Sequence, residues 1–244
     1  MLVLILSVIP SIILFVVTWR SDKVEKEPAK LLIKLFLFGA LTIISALIFE
    51  FTGITLLSKI VPDQSSMVFS LIYDFLIVGL AEEAGKFIVL KKITWKNPEF
   101  NYIFDAVVYS VTVSLGFATI ENIKYLRHGG IWEALARGTL SVPAHVVFAI
   151  YMGYFYGLAK NTEIRSAGRS TKKYLIAALI VPILFHGLFD FGLDMHLKYI
   201  SVILPASVWL ITMFAIDKIS LLHVEISADP VSEENPSENI SENL

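Results

Sequence analysis

Long apolar runs dominate this chain and limit what it can become. A helix that crosses a membrane needs about 20 mostly apolar residues, because each rises about 1.5 Å through a hydrocarbon layer about 30 Å thick. Seven stretches qualify, near Leu2 to Trp19, Leu31 to Leu57, Val68 to Leu90, Ile103 to Glu121, Leu140 to Leu158, Leu175 to Leu193 and Ile200 to Ile216. A lipid-facing backbone must satisfy its own hydrogen bonds and the runs lack the alternation of barrel strands, so all are expected to be helical. The expected fold class is therefore all-α, a polytopic transmembrane bundle of about seven spans. Composition agrees, with 56% of residues hydrophobic and only 17% charged.

Basic residues give the bundle an orientation. The first connection carries Arg20, Lys23, Lys26 and Lys30, the third Lys91, Lys92 and Lys96, and the fifth Lys160, Arg165, Arg169, Lys172 and Lys173. The intervening connections hold only Lys59, then Lys124, Arg127 and Arg137, then Lys198. The positive-inside rule places the N-terminus outside a cell membrane and the C-terminus in the cytoplasm. The first span lacks a basic n-region and an evident small-residue cleavage site, its apolar run is too long for a signal peptide, and it is expected to be retained. Residues 225–244 carry six acidic side chains and no basic one, the composition of a disordered tail on a membrane domain over 1–224.

Several chemistries are excluded. Without cysteine the chain offers no disulfide framework, thiolate zinc site, iron–sulfur cluster or thiol nucleophile. A net charge of −2 leaves no footprint for nucleic acid, and no binding motif of that class occurs. Neither His-Glu-x-x-His nor Gly-x-Ser-x-Gly is present, which sets aside two common hydrolase types.

Ionisable groups within spans cost at least about 2.5 to 3.5 kcal/mol at the centre, so each requires a reason. Glu82-Glu83-Ala-Gly-Lys86 lies in the third span. Glu82 and Lys86 are one helical turn apart and can pair, leaving Glu83 about 100° around the axis for proton transfer. Phe117-Ala-Thr-Ile-Glu121-Asn122 ends the fourth span, Arg137 and Pro143-Ala-His145 open the fifth, and His186-Gly-Leu-Phe-Asp190 lies in the sixth. In the last of these the carboxylate can orient the imidazole. Glu82, Glu83, Glu121, His145 and His186 together suit hydrolysis in two ways. A glutamate can take a proton from water while the histidines stabilise an oxyanion. Alternatively, His145, His186 and Glu82 or Glu83 can hold one zinc ion with a position left for water. Straight upright helices would put Glu82 about 20 Å below the outer surface and Glu121 and His145 within about 10 Å of it. Convergence therefore requires a span tilted or broken near Gly79 and Gly85, or shifted boundaries.

These motifs in this order resemble the PrsW family of intramembrane proteases, within the wider group that includes the CAAX prenyl endopeptidases. The match runs through Glu82-Glu83-x-x-Lys86, Phe117-x-x-x-Glu121-Asn122, Arg137 with Pro143-x-His145, and His186-x-x-x-Asp190, about 110 residues. The CAAX branch typically has Glu-Glu-x-x-x-Arg, so the lysine one position earlier points to PrsW. The resemblance implies a protease domain over 1–224 that cuts a membrane-anchored protein substrate in or near the bilayer, as in the first cleavage of an anti-sigma factor. It implies Glu82 and Glu83 as the catalytic pair, with Glu121, His145 and His186 completing the site and Lys86, Asn122, Arg137 and Asp190 supporting it. Members are described both as metal-dependent and as glutamate-type, which leaves the zinc ion open. An alternative from another class is a proton-coupled transporter using Glu50, Asp74, Glu82, Glu83 and Asp105. A catalytically silent scaffold, whose polar groups only join helices, is a third.

Overall fold

The computed structural model describes residues 2–22, 25–165, 170–195 and 210, without the side chains of 2–4, 6 and 126–135. Helices α1 (Leu2–Ser21), α2 (Ala29–Ile60) and α3 (Met67–Ile72) lead into a π-helical segment, Tyr73–Gly79, which continues into α4 (Leu80–Thr94). Then come α5 (Ile103–Thr139), α6 (Ser141–Arg165) and α7 (Lys172–Asp194). No strand occurs among the described residues, as the all-α expectation requires.

Four of the described helices are long and apolar enough to cross a membrane: Ala29–Ile60, Ile103–Tyr125, Ala136–Arg165 and Lys172–Asp194. The third expected span is not one regular helix, because the π-helical turns divide it. The fourth connection, expected as a loop after Glu121, is instead helical as far as Thr139. No proline interrupts it, and Glu133-Ala-Leu-Ala is good helix-forming sequence. Apart from Leu210, the expected span at 200–216 lies outside the described residues, as do the domain boundary at 224 and the acidic tail.

Helix α5 is the mast around which the others stand. Its apolar window is 94% buried, against 39% for α2 and 33% for α7. Its polar residues tie it to its neighbours, as side-chain hydrogen bonds do between helices in lipid. Ser110 Oγ donates to the Ala149 carbonyl (2.7 Å) and Ser114 Oγ to that of His145 (3.0 Å), both on α6, while Thr119 Oγ1 donates to Ser11 Oγ (2.8 Å) on α1. Against α2 the approach is backbone to backbone. A Cβ on Gly39 would collide with the Val113 carbonyl, and one on Gly116 with that of Phe36.

The first, third and fifth connections gather at one end of the bundle. Asn101 Nδ2 donates to Glu25 Oε2 (3.0 Å) and Trp95 Nε1 to Glu163 Oε1 (3.2 Å). Here Asp105 accepts from the Asn101 and Tyr102 amides as a capping residue for α5. Asp22, Glu27 and Asp105 are buried with oxygens within 4.8 Å of one another, and Tyr109 donates to Glu27 Oε2 at 2.5 Å. Burial, reinforced by the Asp105 and Asp22 charges, pushes Glu27 up from 4.5 to about 8 against the Tyr109 hydrogen bond.

Two predictions follow from this packing. Overpacking a core costs typically about 1–3 kcal/mol. Gly116→Val, whose side chain meets backbone that cannot yield, should lie at or above the top of that range in unfolding measured in detergent. Gly85→Ala, whose Cβ would lie 3.4 Å from Thr42 Cβ, should lose less. The second concerns pH. A carboxyl raised on folding contributes stability in full below its unfolded value, and that contribution is lost as pH rises through the folded value. Wild-type stability should therefore decline between pH 4.5 and about 8, and Glu27→Gln should flatten that decline. An unchanged slope would show that Glu27 does not titrate there.

Candidate active site

The first turn of α4 carries Glu82 and Glu83, with Lys86 one turn further on, and all three are buried. Lys86 Nζ lies 2.7 Å from Glu83 Oε1, 3.3 Å from Glu82 Oε2 and 3.2 Å from His145 Nδ1 of α6. An ammonium has no lone pair to offer, so His145 Nδ1 accepts and its hydrogen sits on Nε2, which donates to Glu121 Oε2 of α5 at 2.9 Å. The other oxygen of Glu121 lies 2.7 Å from Arg137 Nη2. Arg137 also donates to Ser141 Oγ (3.2 Å) and stacks on Tyr125, 3.8 Å from the ring centroid. From α7, His186 Nδ1 is 2.9 Å from Glu83 Oε1, while Nε2 is 3.2 Å from Asp190 Oδ2 and 3.7 Å from Glu82 Oε2. Phe148 stacks on His186 at 5.0 Å, and the Phe117 ring lies 4.2 Å from Lys86 Nζ.

Four separate motifs thus meet in one place. Convergence is possible because Glu121 stands in mid-helix rather than at a helix end, and because the third span is irregular up to Gly79. A Cβ on Gly79 would lie 3.3 Å from the Ile183 carbonyl oxygen, and one on Gly187 2.5 Å from the Phe75 ring. Those two bare positions let the π-helical segment lie against α7, which brings His186 onto Glu83.

Lys86 pairs with Glu82, as the spacing suggested, and more closely with Glu83. Glu83 is the tightly held member, gripped by Lys86 and His186. Glu82 has only the longer contacts, and it lines a cavity of about 390 Å³ that Glu83 does not reach. Spacing alone allowed i,i+3 and i,i+4 pairing equally, and His186 on the Glu83 side decides between them. Asn122 stands apart from this cavity, its Nδ2 donating to the Ser7 carbonyl of α1 at 3.0 Å. Glu50, Tyr73, Asp74, Lys124 and Asp194 also line the cavity. Sequence reasoning gave none of them a place in the hydrolytic site, although ionisable side chains within apolar runs were the available signal. Asp105 caps α5 at the opposite end of the bundle.

Glu82, Glu83, His145 and His186 each offer a donor atom, and these lie within 4.8 Å of one another. Glu83 Oε2 is buried without a hydrogen-bond partner. A buried nitrogen and oxygen donor set of this kind fits a zinc ion.

Comparison with known proteins follows the same lines. Residues 27–216 match the family described as PrsW family intramembrane metalloprotease. Protease PrsW of Clostridioides difficile is 32% identical over 219 residues, 88% of this chain and 89% of that protein. Protease PrsW of Geobacillus kaustophilus is 33% identical over 184 residues, 75% of this chain and 76% of its own. The Bacillus subtilis protein of the same name is 29% identical over 204 residues, covering 84% and 88%. No solved structure matches. With its motifs gathered in one buried site and the family match spanning most of its length, the chain belongs to the PrsW family of intramembrane proteases and is a peptidase.

Proposed function

We propose that the chain cuts a membrane-anchored protein at the cavity beside Glu82, with Glu82 as the group that activates water. The observation that carries this reading is the asymmetry of the glutamate pair, one carboxylate locked by Lys86 and His186 and the other facing open space. Glu82 takes a proton from water as the oxygen bonds to the scissile carbonyl carbon. It returns that proton to the amine as the carbon–nitrogen bond breaks. His186 is the candidate donor to the oxyanion, oriented by Asp190, while His145, held between Lys86 and Glu121, positions Lys86 beside the glutamate pair. When bound by His145, His186 and Glu82 or Glu83, a zinc ion would supply Lewis-acid chemistry at the same place.

The topology proposed with this function has about seven spans and the basic connections in the cytoplasm. Glu82 lies about 20 Å along α4 from the end where those connections gather, which sets the cavity away from the cytoplasmic face. A cut there suits the first cleavage of a membrane-bound anti-sigma factor. Membership of a protease family favours this reading over a transporter.

General-base catalysis contributes typically about 10²–10⁴-fold. Glu82→Gln in purified, reconstituted protein should therefore slow cleavage of a membrane-anchored substrate by at least about 100-fold without loss of fold. Glu83→Gln should lose both activity and thermal stability, because it loosens the grip on Lys86 and His186. Full cleavage by both variants would end the protease assignment to this site. Elemental analysis of the purified chain should find about one zinc per molecule, lost in His186→Ala. Metal-free protein with undiminished cleavage would leave the glutamate route alone.

A further inference from the structure

The cavity has a second charged wall, of which the proposed hydrolysis uses only Asp190, the residue that orients His186. Asp74, on the π-helical segment, is 2% exposed, lines the cavity, and its Oδ2 has no hydrogen-bond partner. Its charged neighbours are mostly of its own sign: Asp190 and Asp194 from α7 bear on it directly, and Glu50 from α2 lines the same space. The cations nearby have carboxylate partners of their own, beginning with His186, which bears on Asp74 but is held between Glu83 and Asp190. Lys86 is enclosed by Glu83, Glu82 and His145, and Arg137 is bound to Glu121. Lys124 sits over Tyr125, 5.1 Å from the ring centroid, and among the wall carboxyls its charge bears on Glu50, not on Asp74. A buried carboxylate oxygen without a partner costs free energy that an incoming cation or donor would recover.

We infer that the wall formed by Asp74, Asp190, Asp194 and Glu50 is a specificity subsite for a lysine or arginine side chain of the substrate, close to the bond that is cut. This deepens the peptidase reading of the cavity and rests on it. The volume suits one long side chain, since about 390 Å³ lies within the usual range of small-ligand sites. The aliphatic stem of such a side chain would run along Leu193 and Phe189, both cavity residues, while its charged end reaches Asp74. Long basic side chains readily divide their surface in this way.

The test uses the full chain in proteoliposomes and a set of quenched-fluorescent transmembrane peptides. Each carries lysine, norleucine or glutamate at one of the positions flanking the hydrophobic segment. Cleavage is measured with wild type, and binding with Glu82→Gln. At one position lysine should exceed norleucine at least tenfold in kcat/KM and in affinity, with glutamate the poorest. Asp74→Asn should collapse that lysine-to-norleucine ratio toward one. Asp74→Lys should invert the preference toward glutamate, a result that loss of fold cannot produce. Equal handling of lysine and norleucine at every position would overturn the subsite while leaving the peptidase standing. A lysine preference in binding without cleavage of any peptide would support the subsite and count against the protease reading. Failure to bind any peptide would overturn both.

Discussion

The Lys86 ammonium is the element on which the arrangement of four helices depends. At 1% exposure it has left water behind, and that desolvation is offset only where every donor direction finds a partner. Glu83, Glu82 and His145 supply those partners, and the Phe117 face covers what remains. From this point the network spreads outward. His145 fixes Glu121 and through it Arg137, so α5 and α6 are joined. Glu83 fixes His186, so α7 is joined as well. Removing one partner from a buried pair typically costs about 3–5 kcal/mol, because a charge is left uncompensated in a low dielectric. The helices can therefore satisfy this centre in only one register.

Such a register requires backbones that approach closely, and the chain provides for it outside the charged centre. Gly39 and Gly116 seat α2 against α5, while Gly79 and Gly187 seat the π-helical segment against α7. The π-helical turns also adjust phase. Eight residues of regular helix rotate about 800°, which would leave Asp74 about 80° out of line with Glu82. A turn closed by i→i+5 bonds takes in an extra residue, and both side chains face the same cavity. Irregular backbone of this kind inside a membrane protein is tolerated where protein or a cavity surrounds it.

The sequence was legible where physics is local. Apolar run length revealed helices, and the cost of buried charge singled out Glu82, Glu83, Lys86, Glu121, His145 and His186, which the structure brings together. Tertiary choices were not legible. Helix spacing places Lys86 within reach of both glutamates, and only His186, more than a hundred residues away, makes Glu83 the held one. The helical continuation of α5 past Glu121 was hidden because a polar stretch with Gly129-Gly130 after an apolar run reads as a connection, although no proline breaks it. Asn122 sits beside Glu121 in the chain, but successive residues on a helix point about 100° apart, so it faces α1 while Glu121 faces the cavity. Asp74 belongs to the cavity only through the π-helical phase, which no period in the sequence announces.

The charge count at the centre separates function from packing. Glu82, Glu83, Glu121 and Asp190 face two fixed cations, Lys86 and Arg137, and Asp74 adds a further carboxyl in the same cavity. A bundle selected only for stability would do as well or better with apolar residues in these places, since buried ion pairs rarely outperform well-packed hydrocarbon. The excess of carboxyl groups leaves a cluster whose demands the protein alone does not meet in full, shown by the unpartnered oxygens of Glu83 and Asp74. Protons, a metal ion or a cationic substrate side chain would each complete it. The two adjacent glutamates divide that role by environment, as paired carboxyls in other hydrolases do. In the proposed mechanism the one enclosed by Lys86 and His186 holds the helices in place, and the one left at the cavity wall is available to water.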